Sequence, residues 1–185
     1  MKKTLFAAAL CCMLSIAAFA QAKTADFSGT WTLDVSKSKL DERARIESMT
    51  LTVNQTAKDI KVDSKTARTP RPEGAPGGMG GGNGMGRGGN FGNGDATTTY
   101  TLDGKAMTIQ QETQMGSIPV NLIGKLDGGT LNLSSSRTFN GANGEVTATT
   151  KETWTLSPDG KTLTVNRESV SPRGTNSSTM VFVKK

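Results

Sequence analysis

Tyr100-Thr-Leu-Asp-Gly-Lys-Ala-Met-Thr-Ile109, Ile123-Gly-Lys-Leu-Asp-Gly-Gly-Thr-Leu-Asn-Leu133 and Trp154-Thr-Leu-Ser-Pro-Asp-Gly-Lys-Thr-Leu-Thr-Val165 repeat one pattern. Each is a run of alternating apolar residues, an Asp-Gly pair, and a second alternating run. Glycine accepts the positive φ that tight hairpin turns require and aspartate tolerates it, so each stretch predicts two antiparallel strands joined by a turn. Three such units in 66 residues predict a meander of hairpins.

Working outward, period-2 alternation recurs at residues 27–33, 49–53, 60–62, 98–102, 107–113, 118–126, 131–139, 146–156, 163–169 and 180–182. The fold class is therefore all-β, with eight to ten strands. One short helix is expected near residues 40–47, where Asp41-Glu-Arg-Ala-Arg-Ile46 lacks alternation. Short turns and threonine-rich outer faces favour an up-and-down meander closed into a barrel, because closure removes exposed strand edges. A two-sheet sandwich is the competing arrangement.

The first twenty residues read as a signal peptide: Lys2 and Lys3, an apolar run from Leu5 to Ala18, then Ala18-Phe19-Ala20 as a cleavage site. The run is shorter than the roughly 20 residues that cross a bilayer core, so no membrane span is expected. The expected location is outside the cytoplasm, periplasmic or extracellular. Both cysteines, Cys11 and Cys12, lie in this leader and the chain has no histidine. Catalytic triads, Cys-His nucleophiles and His- or Cys-bound zinc need groups that the mature chain lacks. Without Lys2 and Lys3, 20 basic residues stand against 16 acidic ones, a net charge near +4. The charge is dispersed and aromatics are few, which argues against nucleic acid as a partner.

Residues 74–94 contain twelve glycines in 21 positions and cannot bury enough apolar surface to offset the entropy of ordering. Residues 68–95 are accordingly expected to form a disordered insertion in a hairpin, since strand-like segments flank both sides. Leader and insertion removed, about 135 residues remain, the size of a single domain with one core.

The segment Asp26-Phe-Ser-Gly-Thr-Trp-Thr-Leu-Asp-Val-Ser-Lys-Ser-Lys-Leu40 contains Gly29-Thr30-Trp31, which resembles the Gly-x-Trp at the first strand of the lipocalins. The whole segment is similar to the opening of a group of secreted bacterial proteins described as lipocalin-like. The resemblance implies an eight-stranded calycin barrel holding a small apolar ligand. Read from the residues alone, Phe27, Gly29, Trp31 and Leu33 share one strand face, so Trp31 closes a barrel end and Gly29 admits a close approach. A plain core tryptophan is the other reading of Trp31.

Following that inward parity, the interior takes Met49, Leu51 and Val53; Tyr100 and Leu102; Met107 and Ile109; Ile118, Val120 and Leu122; Leu131 and Leu133; Trp154 and Leu156; Leu163 and Val165; Met180 and Phe182. The same faces carry Gln111, Arg137, Glu152 and Arg167. Candidate ligand-binding residues are therefore Trp31, Tyr100, Met107, Arg137, Glu152, Trp154 and Arg167. Arg137 and Arg167 could form an anion clamp at one mouth, or be consumed in internal salt bridges. If Leu156 pairs with Lys161 across the turn, Glu152 lies opposite Val165 and diagonal to Arg167. Whether eight or so strands enclose a cavity or a packed core stays open, as such barrels sit at that boundary.

Other motifs point nowhere specific. Arg87-Gly88-Gly89 is one isolated repeat, and Asp103, Asp127 and Asp159 are lone turn acids without the clustered oxygens that calcium needs. Asp41 and Glu42 have no second acid placed for glycoside chemistry. No cofactor, metal or catalytic residue is expected. The leading functional expectation is a non-enzymatic, monomeric, exported barrel that binds a small apolar or amphipathic molecule. The alternative is a cell-envelope interaction protein with a packed barrel, contacting a protein or polysaccharide.

Overall fold

The computed structural model describes residues 24–41, 44–70, 95–113, 116–141, 144–172 and 174–185. The leader lies outside the described residues, as do residues 71–94 of the expected insertion and residues 42–43 of the expected helix. Ten strands form one antiparallel sheet: β1 (Gly29–Leu33), β2 (Ile46–Gln55), β3 (Asp59–Arg68), β4 (Ala96–Thr101), β5 (Asp103–Thr113), β6 (Gly116–Asp127), β7 (Thr130–Gly141), β8 (Gly144–Leu156), β9 (Thr162–Ser171) and β10 (Gly174–Lys184). Their order is β4-β3-β2-β1-β10-β9-β8-β7-β6-β5, so all consecutive strands except β4 and β5 are neighbours and β1 pairs with β10. β4 then packs against β5 and β6 without a hydrogen-bonded ladder, leaving a nearly closed barrel.

Two of the three Asp-Gly units form hairpins. Asp127 pairs with Thr130 around Gly128-Gly129, and Gly128 takes the required positive φ of 57°. At the third, the hairpin reading is wrong. β4 and β5 are the two edges of the sheet and do not pair; Asp103 instead accepts the Lys105 N–H at 3.0 Å and a bulge follows where β5 pairs with β6. Gly104, at φ 77°, serves a corner that carries the chain from one edge to the other. An Asp-Gly pair signals a positive-φ bend, and the ladder beyond it depends on which edge the next strand meets.

Of the short helix expected near residues 40–47, Ala44 is in 3-10 conformation with its N–H on Asp41 O at 2.8 Å, residues 42–43 lie outside the described residues, and Ile46 and Glu47 belong to β2. A further 3-10 turn precedes it at Val35–Lys37, started by Asp34 accepting from Lys37 N. Strands are longer than the alternating runs suggested, above all β10, whose first half is Thr, Asn and Ser and shows no apolar alternation. The ten strands among the described residues exceed the eight implied by the lipocalin resemblance.

The barrel end at the start of β1 is closed. Gln55 fixes residues 25–28 across it: its Oε1 accepts from Phe27 N at 2.9 Å, its Nε2 donates to Ala25 O at 2.9 Å, and its N donates to Ser28 Oγ at 3.1 Å. Phe27 is thereby driven into the core, edge-on to Trp154 with centroids 6.2 Å apart. Trp31, fully buried, donates its Nε1–H to Phe27 O at 2.9 Å. The Lys184 ammonium lies 5.1 Å from the Trp31 ring centroid, and its stem crosses Gly29, where a Cβ would stand 2.7 Å from Lys184 Cε.

Closure along the unladdered seam depends on Gly124 of β6. A Cβ there would stand 2.5 Å from Thr101 O and 2.9 Å from Tyr100 Cβ. Gly124→Ala should therefore force β4 off β6 and lower stability by about 1–3 kcal/mol. Gly129→Ala, where an added Cβ meets nothing within 4 Å, should be nearly neutral. Denaturant melts of the two variants check this.

Candidate functional site

The site begins at a carboxylate that has no business in an apolar core unless it is held. Glu152 on β8 faces inward and is 4% exposed. Its Oε2 accepts the Trp154 Nε1–H at 2.8 Å and its Oε1 accepts the Arg167 Nε–H at 2.7 Å. Arg167 is itself well buried, and the two residues are directly opposite across β8 and β9. The expected register was two residues off. Ser157 N–H donates to Thr162 O at 2.8 Å, so the turn holds four residues and Leu156 pairs with Leu163 instead of Lys161. Asp159 stabilises that wider turn by accepting from Ser157 Oγ and Lys161 N. Glu152 thus meets Arg167 face to face and not Val165, within reach of a short charge-assisted bond.

Tyr100 stands on the other side of the same interior. Burial pushes its phenol far above the usual tyrosine range, the Glu152 carboxylate pushes it the same way, and Arg167 acts in the opposite sense. The four residues Tyr100, Glu152, Trp154 and Arg167 therefore form one interior group, and the sequence had marked all four. Trp31 belongs to the closed end and is linked to Trp154 through Phe27. Met107 is partly buried on β5 opposite Leu122, as wall.

Arg137 is placed apart from this group. It points inward from β7, opposite Ala148 on β8 and Val120 on β6, both buried. Ala148 and Glu152 are four residues apart on β8, so Arg137 and Arg167 are not side by side. Burial holds the Arg137 guanidinium below its ordinary range, with no carboxylate opposing that effect. No described residue gives its side chain a hydrogen bond or ion pair.

Between the two arginines the inner wall is hydroxyl-bearing. Ser135, Thr150 and Ser169 lie in one register row, Ser135 and Thr150 buried, with Thr150 Oγ1 3.2 Å from Ser169 Oγ. Ser64 and Thr98 are likewise buried on β3 and β4. Their apolar-poor side chains hide them from a hydrophobic pattern, whereas strand parity reveals them, since Ser135 continues the inward series Leu131, Leu133.

Among the described residues, no group of three or more His, Cys, Asp or Glu side chains could hold a metal ion, and no helix is long and apolar enough to cross a membrane. No family model matches the chain. No curated protein matches it either. Among solved structures, it is similar to the crystal structure of zebrafish ileal bile acid-binding protein complexed with cholic acid, with a TM-score of 0.47 and 16% sequence identity, over 86% of this chain and 98% of that one.

Two outcomes test the interior group. Glu152→Ala strands a buried guanidinium and should cost about 3–5 kcal/mol, whereas Glu152→Leu combined with Arg167→Met should recover much of that loss, as read by chemical denaturation. Tyr100 is the single tyrosine of the chain, so tyrosinate absorbance reports it alone. Its folded value lies above the unfolded one near 10, so its contribution to stability is complete below about pH 10 and is lost as pH rises further. The absorbance should rise only with unfolding; a reversible rise near pH 10 in the folded protein would contradict the placement.

Proposed function

We propose that this protein is an exported, non-enzymatic barrel that takes a small apolar or amphipathic molecule into the end opposite the Phe27 and Trp31 plug. The observation that supports it is the division of the inner wall. One end is filled by Phe27, Trp31, Trp154 and Phe182, all fully buried, while the inward rows toward the other end turn to Ser135, Thr150, Ser169 and Arg137. Inward polar positions cost stability in a barrel whose only task is to fold, and they are what fixes the orientation of a bound molecule in an otherwise apolar site. The leader at residues 1–20 supports export.

A second reading has its own observation. Outward threonines and asparagines are joined across strands, by Thr108 to Asn121, Thr138 to Thr147, Thr153 to Asn132 and Thr179 to Asn166. Such a hydroxyl- and amide-bearing exterior suits an envelope scaffold contacting a protein or polysaccharide.

Native mass spectrometry of the protein titrated with a long-chain alcohol and the corresponding fatty acid separates the two. Saturable one-to-one binding of either, displaced by the other, is expected. No adduct with either, together with no response to a neutral apolar fluorophore, would leave the scaffold reading.

A further inference from the structure

The two inward arginines are not equivalent. Arg167 is matched by Glu152, so that pair contributes no net charge to the interior. Arg137 is matched by nothing among the described residues, although burial opposes its charge. A guanidinium carries five donors and no acceptor, and Arg137, half-buried on the inner wall, gives none of them to a described residue. Its surroundings do not satisfy it: Val120 and Ala148 flank it across the ladder, and Ser135 is its inward neighbour along β7.

The same end of the barrel holds two further polar atoms without partners. Thr66 Oγ1, facing inward two residues before the end of β3, is buried with no hydrogen bond. Arg45 Nη1, on the residue just before β2, is also buried and unpartnered, and Arg45 is held at a left-handed φ of 50°. β2 begins, and β3 and β7 end, at this side of the barrel, so all three groups belong to the half opposite the plug. Two of the three groups are donors alone, and the third can donate. What complements them is a group made of acceptors.

Resting on the reading of the barrel as a carrier, we propose that its ligand is a monoanionic amphiphile, an apolar acid whose single carboxylate is received by Arg137 beside Ser135, with its apolar body directed toward the Tyr100 and Trp154 floor. One uncompensated cation selects one negative charge. The Glu152–Arg167 pair carries no net charge, and it presents Arg167 and Trp154 as the boundary of the apolar floor. Arg45 adds positive potential at the entrance, which favours the approach of anions.

Calorimetric titration of the whole mature chain with oleate and with oleyl alcohol tests this. The wild type should bind oleate about tenfold or more tighter than the alcohol, as a charge-assisted contact with a half-buried guanidinium implies. Arg137→Met should abolish that preference while leaving alcohol binding unchanged. Lys151→Met, removing an outward-facing charge of β8, should preserve it. Because Arg137 is a half-buried cation with no counter-charge among the described residues, Arg137→Met should not lower the unliganded thermal midpoint. If neither ligand binds, the carrier reading fails. If both bind equally to the wild type, or Arg137→Met keeps the preference, or Lys151→Met loses it as fully, or the midpoint of Arg137→Met falls, the carrier reading stands and the carboxylate site is overturned.

Discussion

The interior of this barrel depends on how one buried carboxylate is held. Glu152 sits among Tyr100, Trp154 and Leu133, where an unpaired charge would be intolerable. Two bonds solve this, from the Trp154 indole and the Arg167 guanidinium, and each demands a structural feature elsewhere. The Arg167 bond demands that β8 and β9 pair in one register, which the four-residue turn after Ser157 sets. The Trp154 bond fixes the indole against Phe27, whose position is set in turn by Gln55 and the segment preceding β1. The ion pair is thus linked by contiguous contacts to the plug that closes the barrel.

Closure makes the second demand. A meander of ten strands brings its two edges together only if something along the seam can do without a side chain. Gly124 is that position, letting Tyr100 and Thr101 of β4 lie against β6. Tyr100 then enters the same interior as Glu152, and the burial that raises its phenol is a consequence of the seam closing. A sheet that stopped short of closure would leave Tyr100 wet and the carboxylate hydrated.

The sequence made the inward set legible because alternation converts directly into facing: Leu131, Leu133, Trp154, Leu163, Val165 and Phe182 all lie where parity puts them. It also brought out Arg137, Glu152 and Arg167 as charges on that face. What it withheld is pairing, which no parity rule contains. A two-residue error at the Ser157 turn keeps every side chain on the correct face and still changes the partner of Glu152 from Val165 to Arg167. The Asp103-Gly104 corner looked like a hairpin because the local backbone need is the same, although the partner strand is β6 and not β4. The role of Gly124 was invisible, since a glycine within a strand says nothing of what crosses it. The hydroxyl row is hidden because serine and threonine occur on both faces of these strands and carry no apolar signal.

That the two arginines differ is the most consequential of these results, because one face of a barrel supplies both a structural cation and an unmatched one. The distinction is directly observable by hydrogen exchange of side-chain N–H groups in nitrogen-labelled protein. The account predicts that the Arg167 Nε–H and Trp154 Nε1–H signals persist together long after transfer to deuterated water and vanish together on unfolding, while the Arg137 Nε–H exchanges rapidly. Rapid exchange at Arg167, or protection of Arg137 equal to it, would contradict the arrangement on which the interior is built.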